Sequence, residues 1–185
     1  MSTKRQLGAK ILGRNVSFTY SEQWVGYSVL GLRLVMAWTF LQAGLDKLLA
    51  GDWTAANFLL NAIPPGNPLA GFFTTLGTDY VGLVNVLNVW GQILVGLALL
   101  VGAFVRFSAF WGAVMMLFYW LASLEGGLLD GLPIAHGWVV DSHLVYAVLL
   151  FGLGAIGAGR IVGVDEYLEA TSVVQNNPWL RYLLG

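Results

Sequence analysis

The chain has no cysteine and two histidines among 185 residues, and only 10% of it is charged. Without cysteine, disulfide exchange, thiol nucleophiles and thiolate-ligated metal or iron–sulfur centres have no residue to act through. The histidines, His136 and His143, offer too few ligands for a metal site, and none is assigned; haem has equally little to hold it. A soluble domain carries about 25% charged residues, so this composition lies outside that class. The net charge is −1, which leaves no polybasic surface and no case for nucleic acid. The opening MSTKRQLGAKILGRNVSFTYSEQ lacks an apolar core, so no cleaved signal peptide is expected.

What the chain does have is apolar bulk. It is 57% hydrophobic, with a mean hydropathy of +0.72, 8 tryptophans and 24 glycines. Trp favours bilayer interfaces and Gly is frequent in membrane helices. A span needs roughly 20 predominantly apolar residues. Gly26–Leu45 contains Arg33 as its only charge, Val81–Val105 and Phe107–Leu124 contain none, and Ser142–Gly159 holds only His143. These runs lack the alternation of barrel strands, and backbone in hydrocarbon must satisfy its own hydrogen bonds, so they read as helices. The expectation is an all-α polytopic membrane protein: an antiparallel four-transmembrane-helix bundle with short interfacial helices in the outer loop. The spans fall near 26–49, 81–105, 107–124 and 142–161. A basic segment, 1–25, precedes this membrane domain, 26–163, and a tail, 164–185, follows it.

Lys4, Arg5, Lys10, Arg14, Arg106, Arg160 and Arg181 all fall on one side of such a bundle, with Lys47 alone on the other. The excess of Lys and Arg predicts cytoplasmic termini in a multi-pass plasma-membrane protein. The connection 50–80 has two apolar pieces separated by Pro64-Pro65-Gly66, read as short helices with Asp52 and Asn67 as N-caps. A second, Gly-rich connection covers 125–140. The turn between the second and third spans is very short, so room for a site exists at the outer end.

The polar residues inside the spans are the functional candidates. Arg33 either snorkels to the headgroups or pairs inside the bundle, and Lys47, further along the same helix, falls near the same face. Asp46 is its local counter-charge. Asn85, Asn88 and Gln92 are spaced i, i+3, i+7 and form one stripe. That stripe either joins helices by hydrogen bonds or walls a cavity. Asp141 suits an N-cap. His143 and Tyr146 share a face, and are either interface decoration or the groups that move a proton and hydrogen-bond a carbonyl. The assignment is Asp141, His143 and Tyr146 as catalytic residues. Lys47, Asn85, Asn88, Gln92, Arg33 and Asp46 bind substrate or quinone. Gly152-Leu-Gly154-Ala-Ile-Gly157 matches a dinucleotide fingerprint literally, but it lies in a membrane helix with no preceding strand. Gly152, Ala155 and Gly159 read instead as a face for close helix packing.

The blocks GLRLVMAWTFLQAGLDKLL, DWTAANFLLNAIPPGNPLAGFF, LNVWGQILVGLALLVGAFVR and DSHLVYAVLLFGLGAIGAGRIVGVDEYL, in this order, resemble the DoxX/DoxD family of small four-helix membrane proteins. The DoxD branch is linked to the membrane subunit of thiosulfate:quinone oxidoreductase, which oxidises thiosulfate to tetrathionate and reduces membrane quinone. The resemblance therefore implies quinone as co-substrate and a separately encoded second subunit. The positions carrying it are Arg33, Gly44, Asp46, Lys47, Asn88, Trp90, Gly91, Arg106, Asp141, His143, Tyr146, Gly159 and Arg160, and no catalytic assignment travels with them. Two function classes stay open: an oxidoreductase subunit passing electrons from a small sulfur compound to quinone, and a non-catalytic anchor, assembly or binding protein. The expected partners are the lipid bilayer, the second subunit and, as an open alternative, further copies of the chain.

Overall fold

The computed structural model describes residues 3–125 and 140–185. The chain begins with strand β1, Lys4–Ile11, paired antiparallel with β2, Arg14–Ser21. The all-α expectation is corrected here. Both residues of the connecting turn have positive φ, Leu12 at 49° and Gly13 at 80°, as a two-residue hairpin requires. The hairpin runs straight into α1, Glu22–Ala50, because Ser21 ends the strand and caps the helix, its Oγ accepting from Trp24 N. The first helix thus starts four residues before the position expected from hydropathy.

After α1 the chain makes a π-helical turn over Phe58–Ala62 and then α2, Ala70–Thr78. Asp52 does not cap the first of these. Thr54 Oγ1 accepts from Ala56 N instead, and Asn67 Oδ1 accepts from Leu69 N just ahead of α2. The long apolar helices α3, Val81–Val101, and α4, Val105–Ala122, follow. The turn between them holds Gly102 and Phe104, both left-handed, which stops α3 four residues earlier than expected. After the second connection comes α5, Ser142–Ile156, ended by left-handed Gly157. The fourth apolar helix therefore has 15 residues and not the expected twenty.

The helices pack in sequence around one core, which includes Met36, Phe40, Leu99, Ala109, Met116 and Leu150. Small residues set the closeness. A Cβ at Gly96 would lie 2.7 Å from Leu41 N, and one at Gly44 would lie 2.7 Å from the Ile93 side chain, so α1 and α3 nearly touch along their backbones. Those pairs run in opposite directions along the two helices, which makes them antiparallel. On the other side Gly112 meets Leu150, and Gly154 meets Ala109, joining α4 to α5. Gly152 faces no neighbour and Gly159 lies beyond the helix, so the packing glycine of α5 is Gly154 rather than the predicted set.

The outer surface is apolar: Trp38, Leu94, Phe110 and Phe151 are all exposed. Among the described residues, α1, α3 and α4 are long and apolar enough to cross a membrane. With core inside and apolar side chains outside, the chain is a multi-pass membrane protein in a lipid bilayer.

At the basic end the last 21 residues, 165–185, do not form a free tail. They make α6, Asp165–Glu169, α7, Ser172–Asn176, and a 3₁₀ turn, Pro178–Tyr182. Leu184 is buried against the bundle, and Phe107 N donates to Leu183 O. Asp165 is fully buried, and its carboxylate accepts from Phe104 N at 2.6 Å, Val105 N at 3.0 Å and Gly185 N at 2.8 Å. Two of these amides open α4, so Asp165 supplies the negative charge that the start of a helix favours. Nearby, Arg160 pairs with Glu169. Hydrogen bonding to Arg160 holds the Glu169 carboxyl below its ordinary value, and the same bond raises Arg160.

Replacing Asp165 by Ala strands three amides in a buried place, and each unsatisfied group costs about 1–3 kcal/mol. Asp165→Ala should lower the melting temperature of the detergent-solubilised protein sharply, while Asp165→Asn, which keeps an acceptor, should lower it less. Equal, small losses in both would remove the carboxylate's role as the cap of α4.

Candidate functional site

The end of the bundle opposite Arg33 carries a connected chain of polar side chains. Lys47, in the last turn of α1, donates from Nζ to Gln92 Oε1 and to Ala43 O, both at 3.0 Å. Its ammonium stands 5.4 Å from the Trp53 ring centroid, within cation–π range. Gln92 is 4% exposed, and its Nε2 donates to the Tyr119 hydroxyl at 3.3 Å. Tyr119, on α4, donates in turn to Asn88 Oδ1. Three helices are thereby joined through one buried side chain, Gln92, and three partly buried ones, where an unpaired polar group is costly.

The α5 residues adjoin this chain through an aromatic contact. The rings of Tyr119 and His143 meet edge-on, centroids 5.5 Å apart and planes at 73°. Asp141 has two roles: Oδ1 caps α5 by accepting from Leu144 N at 2.9 Å, and Oδ2 lies 2.6 Å from His143 Nδ1. A carboxylate at Nδ1 favours the tautomer protonated there and leaves Nε2 as the nitrogen able to accept a proton.

The segment after α1 roofs this end. Asn85 Oδ1 accepts from Ala55 N at 2.8 Å, and its Nδ2 donates to Thr54 Oγ1. Buried Asn67 donates from Nδ2 to Leu121 O at 2.9 Å and Ala122 O at 3.2 Å. Ala55, Leu59, Phe73 and Ala122 form a small second core beneath it.

Of the nine residues assigned from sequence, the structure gathers Lys47, Asn88, Gln92, His143 and Asp141 into one region. It separates the other four. Arg33 is 1% exposed at the basic end, where Nη1 donates to Ala158 O and to Ile161 O (2.8 Å) and Nη2 to Val162 O at 3.0 Å. It neither snorkels nor reaches Lys47, which is fourteen residues, or about 21 Å, along the same helix. Asn85 is bonded to the roof at Ala55 and Thr54 and does not join the Lys47–Gln92–Tyr119–Asn88 chain. Asp46 is exposed on the adjacent face of α1, and Tyr146 packs against the core. His136 lies outside the described residues, and among those that are described no cluster of His, Asp and Glu could hold a metal ion.

Tyr119 was not singled out from the sequence, although a signal existed. A tight turn centred near residue 103 folds α4 back along α3, so Asn88, fifteen residues before it, must face the neighbourhood of residue 118. The DoxX family model matches residues 28–123, a little over half of the chain. The chain belongs to the DoxX family. No curated protein and no solved structure matches it. The match contains Lys47, Asn88, Gln92 and Tyr119, whereas Asp141 and His143 lie beyond it. The three-helix polar chain is thus the part of the site that lies within the DoxX match.

Tyr119→Phe removes the hydroxyl that both Gln92 and Asn88 use. It should destabilise the protein by about 1–3 kcal/mol without preventing insertion. Asn88→Leu should cost much less in the Tyr119→Phe background than in the wild type, as measured by a double-mutant cycle of unfolding in detergent. Strict additivity would mean that the two side chains do not share one network.

Proposed function

We propose that this DoxX protein is the membrane subunit of an oxidoreductase that passes electrons from a small sulfur compound, thiosulfate, to membrane quinone. The observation that carries the reading is the Asp141–His143 pair set edge-on against Tyr119. A half-exposed imidazole oriented by a carboxylate stands there next to a phenol, at the end of a bundle surrounded by lipid. Reduction of a quinone takes two electrons and two protons. His143 Nε2 supplies or relays a proton to one quinone oxygen, and Asp141 stabilises the imidazolium. Two thiosulfates each release one electron and join through a sulfur–sulfur bond to give tetrathionate. Lys47 provides the cation toward which such an anion is drawn. The second subunit implied by the resemblance carries the sulfur chemistry or hands on the electrons.

In this reading α5 completes a four-span bundle with both termini in the cytoplasm of a plasma-membrane protein. The Arg and Lys excess at the Arg33 end supports that orientation. A cysteine at exposed Thr78 should then react with an impermeant reagent from outside sealed cells, and one at Ser172 should not.

A second reading, a non-catalytic binding or assembly protein, is favoured by one observation. Lys47, Gln92, Tyr119 and Asn88 bond one another and leave the ammonium already engaged. Nanodisc-embedded protein decides between the two. If the first holds, a short-chain quinone binds, His143→Ala removes quinone reduction in membranes containing the whole enzyme, and Lys47→Ala weakens thiosulfate binding by about 1–3 kcal/mol. Absence of quinone and thiosulfate binding by the wild-type protein overturns the first reading in favour of the second.

A further inference from the structure

The amino-terminal hairpin is two-faced. Strand alternation puts Leu7, Ala9 and Ile11 on one side of β1, and the register sets Phe18, Val16 and Arg14 opposite them. Tyr20, paired with Arg5, continues that side. The other side is Lys4, Gln6, Gly8 and Lys10 against Ser21, Thr19, Ser17 and Asn15, with no large apolar residue. Nothing among the described residues covers the apolar side: Phe18 and Ile11 are about half exposed, and Leu12 at the tip is almost wholly so. A lone two-stranded ribbon is marginal in water, so its apolar face calls for a cover.

Two further observations identify the cover. The first is position. The hairpin has no linker to α1; Glu22 N donates to Thr3 O at 3.1 Å, and Arg5 pairs with Glu22 at 2.6 Å, fixing its base to the first turn of a membrane-crossing helix. The first two turns expose Trp24 and Tyr27, rings 6.2 Å apart, the residue types that settle at headgroup level. The second is charge. From residue 4 to residue 21 the chain has Lys4, Arg5, Lys10 and Arg14 and no acidic residue. Glu22 answers Arg5 and leaves three cations. Basic residues beside a span are attracted to anionic lipid, and long basic stems lie along apolar surface while their charge reaches the phosphates.

We infer that the hairpin is an interfacial anchor: its Leu7–Phe18 face lies on an anionic phospholipid surface beside α1, with Arg14, on that same face, reaching the headgroups and Lys4 and Lys10 adding positive charge from the opposite face. The occupant is the bilayer itself, not a soluble partner or a second copy of the chain.

The absence of native cysteine makes the test clean. Full-length Phe18→Cys and Ser17→Cys, adjacent residues on opposite faces, are each labelled with an environment-sensitive fluorophore and placed in nanodiscs of phosphatidylglycerol and phosphatidylcholine. The label at 18 should be quenched several-fold more by a lipid-borne quencher than the label at 17, and the label at 17 several-fold more by aqueous iodide. The contrast should shrink at high salt, in phosphatidylcholine alone, and in a Lys4→Gln, Lys10→Gln, Arg14→Gln background. Equal water exposure of both positions in anionic nanodiscs overturns the inference. So does shielding of position 18 that persists in detergent, together with a disulfide-linked dimer of Phe18→Cys, since a second copy would then be the cover.

Discussion

A guanidinium that is 1% exposed in an apolar bundle must find acceptors, and Arg33 finds them in the carbonyls of Ala158, Ile161 and Val162. α5 ends at Gly157 and the chain unwinds past it, which turns these carbonyls toward Arg33; Ala158 O also accepts from Ile161 N. Gly102 and Gly163 lie so near the Arg33 side chain that a Cβ on either would crowd it, at 2.9 and 3.0 Å from Nη1. One buried charge thus fixes where α3 stops, where α5 stops and how the following segment returns. Asp165 stands in the same knot and caps α4. The basic end is held by charges bonded to backbone, and their removal would leave helix ends without partners.

The opposite end is built differently. There the bonds run from side chain to side chain, Lys47 to Gln92 to Tyr119 to Asn88, and each joins one helix to another. Side-chain bonds of this kind are individually modest in membranes, so this end can exchange partners at less cost than the Arg33 knot. A ligand competing for Lys47 or Tyr119 displaces a neutral amide and leaves every helix cap in place. The roof from Trp53 to Asp79 adds an aromatic ring over the ammonium and amide ties to α3 and α4. Chemistry at this end is compatible with a fixed scaffold at the other.

Three of the four expected spans, α1, α3 and α4, were legible in the sequence because hydropathy reports the solvent directly. Their ends were not. Gly102, Phe104 and Gly157 stop helices through left-handed backbone inside apolar runs, where composition gives no change of signal. The hairpin was missed because its apolar residues alternate with polar ones, so that the segment averages to a polar stretch, and because Leu-Gly is an unusual pair for its turn. Within the site, the i, i+3, i+7 stripe identified Asn88 and Gln92, but it could not separate them from Asn85, whose partner is the backbone of a loop far along the chain. Arg33 and Lys47 share a helical stripe and yet serve opposite ends. Periodicity reports direction around an axis, and depth along it has to be counted separately.

The Asp165 cap also sets an order of events during synthesis. The amides of Phe104 and Val105 wait for a carboxylate sixty residues further on. At about 5–20 residues per second, that is an interval of about 3–12 s. By the end of that interval α3 and α4 are complete, and until then the start of α4 lacks its carboxylate cap. Closure of the bundle at its basic end therefore comes late in synthesis: the chain passes through a stage in which three long helices have been made and their shared lock is still being translated.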